Sequence, residues 1–185
     1  IIPFIEIKVD TRPVNDHGTH VAGIIGANKV EEPEGKGVSA EGMCPDIKLY
    51  DFRVLSEDLE SMEFGVIAAL EFIRYLNSMS RTTRIHGANL SLSIPHDVRD
   101  YACGRTPVCD ECERLVESGV VVVAAAGNRG YQSFTTKEGA FDSYAALSIT
   151  DPGNAESVIT VGSTHRTSPH TYGVSFFSSR GPTGD

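Results

Sequence analysis

Residues 120–126 restrict the fold more than any other segment, because all seven are valine or alanine. A continuous apolar run of this length is typical of a strand buried on both faces, and such strands occur in parallel sheets covered by helices. Gly127 follows directly and allows the chain to leave the strand sharply. The segment therefore predicts an inner strand of a parallel sheet.

The rest of the chain alternates between strand and helix patterns. Strands are predicted at residues 4–9, 47–55, 88–94, 157–162 and 174–177, and helices at 17–27, 62–79 and 108–117. Strands separated by helices favour βαβ units, so the sequence predicts a three-layer α/β fold with a mostly parallel sheet and helices on both faces. In such sheets, functional side chains lie in loops at the carboxyl ends of the strands.

Composition and charge exclude two classes of partner. The net charge is −9, and no basic patch recurs along the 185 residues, which argues against nucleic acid. No run of eighteen apolar residues occurs, so no membrane span is predicted and a soluble protein is expected. The sequence leaves open whether the protein is cytoplasmic or secreted.

Two histidines, His17 and His20, stand three residues apart at the start of the predicted helix. They could ligate a metal, but metal pairs are usually four apart with an acidic residue between them, so no metal site is predicted. The alternative is a single catalytic imidazole. The positive end of the helix dipole favours the neutral form that a general base needs, which points to His17. Asn15 or Asp16 would cap the helix, and His20 would have a structural role.

The polar residue nearest the end of the 120–126 strand is Asn128. On spacing alone, two interpretations remain open. The amide of Asn128 could point into a cleft at the carboxyl end of the strand, or the pair Gly127-Asn128 could simply close a turn.

Four cysteines are present. Cys44 precedes the predicted strand at 47–55 and is expected to be a small buried residue. Cys103, Cys109 and Cys112 follow the pattern C-x5-C-x2-C. Structural thiols or a local disulfide are favoured, since a single CxxC is weak support for a metal site, which would also need a histidine such as His96.

Four segments resemble the subtilase family of serine peptidases: HGTHVAG at 17–23, ANLSLS at 88–93, VVVVAAAGN at 120–128 and FFSSRGP at 176–182. The resemblance implies a subtilisin-like domain over residues 1–185 that hydrolyses peptide bonds by acyl transfer and acts on polypeptides. It assigns His17 as the general base and Asn128 as a donor to the oxyanion.

The resemblance also implies a substrate cleft. Ser91, Leu92 and Ser93 would offer backbone groups to an extended substrate, and Gly127 would line the same cleft. Ser93 stands where many relatives have glycine, so the shape of the specificity pocket is expected to differ. No cofactor is expected, although calcium sites are frequent in the family.

The nucleophile and the acidic member of the triad are not found in their expected settings. No GTSMA-like segment occurs, and Ser178 and Ser179 match a different family segment. Asp10 lies only seven residues before His17, so the triad acid is expected upstream of Ile1. The chain is therefore expected to be an incomplete domain, inactive alone, that could pair with the complementary part of its own domain. A non-catalytic peptide-binding subtilase-like domain is the alternative.

Overall fold

The computed structural model describes residues 15–29, 41–55, 63–94 and 97–183. The chain divides into two compact units, Ile1–Glu60 and Ser61–Asp185. The strand predicted at 4–9 and the candidate acid Asp10 lie outside the described residues. No helix of the described part is long and apolar enough to cross a membrane.

The first unit contains helix α1, His17–Gly26, which confirms the helix predicted at 17–27. The carbonyl groups at its end accept hydrogen bonds from the amides of residues 42–44, which satisfies the last turn. A Cβ atom at Gly42 would lie 2.4 Å from the amide nitrogen of Ala27. Glycine at position 42 therefore permits the backbone of residues 42–44 to lie close to the end of α1.

Two predictions for the first unit are wrong. Residues 47–54 form no strand, and Leu55 makes only a single bridge. A strand needs a neighbouring backbone to pair with, and the described part of this unit offers none to 47–54. Cys44 is exposed rather than buried, and its backbone N–H donates a hydrogen bond to the carbonyl oxygen of Ile25.

The second unit holds most of the regular structure. Its elements in chain order are α2 (Glu63–Ser78), β1 (Gly87–Leu90), α3 (Pro107–Glu117), β2 (Val121–Ala125), β3 (Tyr131–Thr136), β4 (Gly139–Tyr144), β5 (Ile159–Val161) and α4 (Pro169–Tyr172). Strands β1, β2 and β5 form a parallel sheet in the order β1-β2-β5, which confirms the predicted sheet type. The strand predicted at 174–177 is reduced to one bridge between Thr164 and Val174.

A helical layer covers one face of this sheet. Helix α3 packs on β2 and α2 packs on α3. Along β2, Val122 and Ala124 are buried while Val121 is 54% exposed. The prediction that this strand is buried on both faces is therefore wrong within the second unit, where α2 and α3 cover the face that carries Val122.

A buried carboxylate connects the two helices of this layer. Glu111 of α3 is 1% exposed, and its Oε1 lies 3.0 Å from Nε of Arg74 in α2. Its Oε2 accepts a hydrogen bond of 3.0 Å from Nη1 of Arg114. The contact with Arg74 is an ion pair without a hydrogen bond, so the two guanidinium groups offset only part of the desolvation cost of the carboxylate, and Glu111 connects α2 to α3 by charge attraction.

We expect Glu111→Ala to lower the free energy of unfolding of the intact protein by about 2–4 kcal/mol. The substitution removes a packed side chain and leaves the partly buried Arg74 without its counter-ion. Arg114→Ala is the matched control: the Arg114 side chain is 56% exposed, so its loss should cost less than about 1 kcal/mol. Urea unfolding curves measure both values, and equal losses for the two variants would contradict the assignment.

Candidate active site

The carboxyl ends of β1 and β2 meet at one edge of the parallel sheet. The two strands are neighbours, with Leu90 paired to Ala124. Residues 91–93 follow β1 directly, and Gly127 and Asn128 follow β2 by two and three residues. The structure thus brings all five candidate residues of the second unit to the same edge of the sheet.

Thr150 links the two loops at this edge. The Ser93 hydroxyl donates a hydrogen bond of 2.7 Å to Oγ1 of Thr150. The N–H of Thr150 donates to the carbonyl oxygen of Ala126 at 3.2 Å, and the N–H of Ile94 donates to the carbonyl oxygen of Asp151 at 2.8 Å. Sequence patterns did not point to Thr150, because its neighbours form no catalytic or binding motif.

The carboxylate of Asp151 supports this connection from the interior. Asp151 is fully buried, and its carboxylate accepts hydrogen bonds from Oγ1 of Thr106 at 2.7 Å and Nδ2 of Asn154 at 2.8 Å. The N–H of Gly104 donates to the same group at 3.3 Å. These donors compensate the loss of water around a buried charge. The backbone of Asp151, which holds Ile94 at the cleft, is thereby fixed in place.

Gly127 allows the chain to pass close to two hydroxyl groups. Its φ is +102°, a conformation that side-chain-bearing residues rarely adopt. A Cβ atom there would lie 2.7 Å from Oγ1 of Thr150 and 2.9 Å from Oγ of Ser179. Both the backbone conformation and the available space therefore require glycine at this position.

We expect Gly127→Ala to destabilise the intact protein by about 2 kcal/mol more than Gly119→Ala, because of overpacking. Gly119 has a similar φ of +92° but a Cβ there meets no atom within 4 Å. Gly119→Ala thus isolates the backbone strain, worth about 1–2 kcal/mol. Thermal or urea unfolding gives both values. Equal destabilisation would show that the space around Gly127 is not restricted.

The side chain of Asn128 is exposed and makes no hydrogen bond to the residues that the structure describes. Asparagine is common in turns because it tolerates a positive φ. Asn128 does not have a positive φ, so its backbone conformation does not explain why asparagine stands at this position. The amide has two N–H groups available to a ligand. Its proposed role as a donor stays a prediction.

Neither of the two cysteines in α3, Cys109 and Cys112, has a reactive thiol. All four cysteines are reduced, and Cys109 and Cys112 are buried. Burial raises the pKa of the Cys112 thiol to about 12, and burial raises the pKa of the Cys109 thiol even though a hydrogen bond with Thr106 opposes the shift. Since the thiolate is the nucleophile and the metal ligand, neither sulfur is in its reactive form at neutral pH.

The described part of the chain contains no group of three His, Cys, Asp or Glu residues placed to hold a metal ion. His96, the fourth ligand of the alternative metal site, lies outside that part. The packing of α3 therefore supports a structural role for the buried residues Cys109 and Cys112.

His17 is the first residue of α1 in the first unit. Its backbone N–H donates a hydrogen bond of 2.8 Å to Oδ1 of Asn15, while Asp16, at the N-cap, makes no side-chain capping bond. His17 is half-buried, whereas His20 is exposed, which does not support a structural role for His20. His17 and Asn128 belong to different units, and their proximity stays a prediction.

Comparison with known proteins gives a consistent result. The sequence model of the subtilase family matches residues 7–185. The chain is 31% identical over 173 residues to the subtilase-type proteinase RRT12 of Saccharomyces cerevisiae, covering 91% of this chain and 27% of that protein. It is 28% identical over 148 residues to subtilisin DY of Bacillus licheniformis, covering 80% and 43%.

Solved structures agree with the sequence comparison. A cold-adapted subtilisin-like serine proteinase superposes with a TM-score of 0.62 at 25% identity, covering 91% of this chain and 46% of that one. Sphericase superposes with a TM-score of 0.59 at 22% identity, covering 77% and 39%, which supports the fold. The chain thus spans less than half the length of these relatives. On the match over residues 7–185, this chain belongs to the subtilase family.

Proposed function

We propose that this chain supplies the general base and an oxyanion donor of a subtilisin-like serine endopeptidase. The observation that carries the proposal is the edge of the parallel sheet, where Asn128 presents an exposed amide beside the loop at 91–93. Subtilase membership and the position of His17 at the start of α1 support the second role. The serine nucleophile and the acid would come from other parts of the intact protein.

The reaction is acyl transfer in two steps. His17 takes the proton of the serine hydroxyl as its oxygen attacks the carbonyl carbon of the scissile peptide bond. The carbonyl oxygen becomes an oxyanion, to which Nδ2 of Asn128 donates a hydrogen bond. His17 then gives the proton to the leaving amine, and the C–N bond breaks. In the second step water attacks the carbonyl carbon of the acyl-enzyme, with His17 again taking the proton. His17 returns that proton to the serine oxygen, and the carboxylic acid product leaves.

The substrate is an extended polypeptide. Residues 91–93 leave β1 at its carboxyl end, where their backbone groups can pair with a substrate strand. The Ser93 hydroxyl is already bound to Thr150, so recognition at this residue depends on its main chain. Backbone pairing gives affinity for polypeptides in general.

The proposed steps need no metal ion. The resemblance to subtilases implies calcium as a structural ion, and this stays a prediction, because calcium is also bound by backbone and amide carbonyl oxygens. The chemistry proposed here depends on an imidazole, an amide and a serine hydroxyl.

A fluorophosphonate probe tests the proposed function in the intact protein. We expect a single covalent adduct on one serine, mapped by mass spectrometry, and no adduct in the His17→Ala variant, because the hydroxyl then lacks its base. An adduct on Ser178 or Ser179 would contradict the assignment. An unlabelled protein that still binds an extended peptide would instead be a non-catalytic peptide-binding member of the family.

A further inference from the structure

Ser179 makes hydrogen bonds to the residues on both sides of Asn128. Its N–H donates to the carbonyl oxygen of Gly127 at 3.0 Å. Its hydroxyl oxygen accepts from the N–H of Arg129, also at 3.0 Å. Ser179 is buried, so water does not readily replace these bonds. One residue, fifty positions along the chain, therefore holds the backbone on either side of Asn128.

The next residue along the chain strengthens this attachment. The N–H of Gly130 donates to the carbonyl oxygen of Phe177 at 2.9 Å. A Cβ atom at Gly130 would lie 1.9 Å from the carbonyl oxygen of Ser178, so the two backbones are in direct contact. Of the three hydrogen bonds between residues 127–130 and 177–179, only the one from Arg129 depends on a side chain, the hydroxyl of Ser179.

The amide of Asn128 has no such support of its own. Its side chain is exposed and is not hydrogen-bonded to any residue that the structure describes. The direction in which the amide projects is therefore set by the backbone from which it starts. A donor to an oxyanion works only within about 2.7–3.1 Å of the developing charge. Small displacements of that backbone should accordingly be costly for catalysis.

We propose that Ser179 is a positioning residue for the oxyanion donor Asn128. The inference rests on the proposed function. The hydroxyl of Ser179 fixes the N–H of Arg129 and so orients the chain that carries the amide. A misplacement of about 1 Å in an active site can cost as much as 10²-fold in rate.

Ser178 provides a matched control. It is the adjacent serine and is also buried, but its hydroxyl accepts from the N–H of Ser163 at 3.0 Å rather than from the chain next to Asn128. Alanine at position 178 or 179 removes the same kind of hydrogen bond from the same segment. The two variants should therefore lose similar stability, while only one changes the oxyanion donor.

The test is a kinetic comparison of four variants of the intact protein on a chromogenic peptide. We expect Ser179→Ala to lower kcat roughly tenfold with KM changed less than twofold, and Ser178→Ala to keep kcat within about twofold. The double variant Ser179→Ala with Asn128→Ala should have the kcat of Asn128→Ala alone, since the donor that Ser179 positions is already absent.

The outcomes separate this inference from the proposed function. If Asn128→Ala leaves kcat unchanged, the proposed function fails. If Asn128→Ala lowers kcat but Ser179→Ala does not, or if the two losses multiply in the double variant, the proposed function survives and the positioning role is overturned. Should Ser179→Ala not fold, Ser179→Cys repeats the test, because a thiol is a weaker acceptor and should give a smaller loss of the same pattern.

Discussion

His17→Ala in the intact protein is expected to lower kcat by roughly 10⁶-fold, which is the known effect of removing the triad histidine of a subtilisin. Without the imidazole, the serine hydroxyl has no acceptor for its proton, and the leaving amine has no donor. Binding of the peptide does not use the imidazole, so KM should change little. Initial rates on a chromogenic peptide measure both parameters.

His170→Ala is the control for this experiment. His170 lies in α4 and is exposed, and no hydrogen bond or ion pair among the described residues joins it to the sheet edge where Asn128 lies. Its substitution should leave kcat within about twofold of the parent value. A His17→Ala variant that kept more than a hundredth of the parent kcat would mean that another group acts as the base. The unfolding temperature of each variant shows whether a loss of rate reflects a loss of fold.

Elements that depend on local patterns could be predicted from the sequence. Helices α1, α2 and α3 and strand β2 lie where the apolar spacing places them, because their residues carry the information themselves. The strand at 47–55 was predicted wrongly, since a strand also depends on a partner elsewhere in the chain. The hairpin of β3 and β4 is not predicted, because its strands lack a regular alternation of apolar and polar residues and its turn carries Lys137 and Glu138 in place of a typical Asn-Gly pair.

The candidate site also contains some residues that the sequence predicts and others that it does not. The residues at 91–93 and Gly127 could be proposed from the resemblance to subtilases, and Asn128 also because it lies just beyond the apolar run at 120–126. Thr150 and Ser179 could not, since their importance arises from contacts with residues 57 and 50 positions away. Such contacts follow from the path of the whole chain, which no local pattern contains. Residues that support a site are thus harder to find from sequence than residues that form it.

Asn128→Ala is expected to lower kcat by roughly 10²- to 10³-fold with KM nearly unchanged, a magnitude known from a subtilisin asparagine rather than worked out for this chain. The oxyanion exists only in the transition state and the tetrahedral intermediate, so losing its donor affects turnover and not ground-state binding. Stability should be unaffected, because the Asn128 side chain is exposed and its backbone does not require asparagine. Steady-state kinetics measures kcat and KM, and a melting curve on the same sample measures the stability.

Asn128→Asp distinguishes a hydrogen-bond donor from a residue that only closes a turn. Aspartate has the same shape and a similar turn preference, but its ionised carboxylate donates no hydrogen bond and repels an oxyanion. We therefore expect Asn128→Asp to lose at least as much kcat as Asn128→Ala. If the aspartate variant instead retained the parent kcat while the alanine variant lost it, the role of Asn128 would lie in the turn. The amide at the carboxyl end of β2 would then have no part in the chemistry.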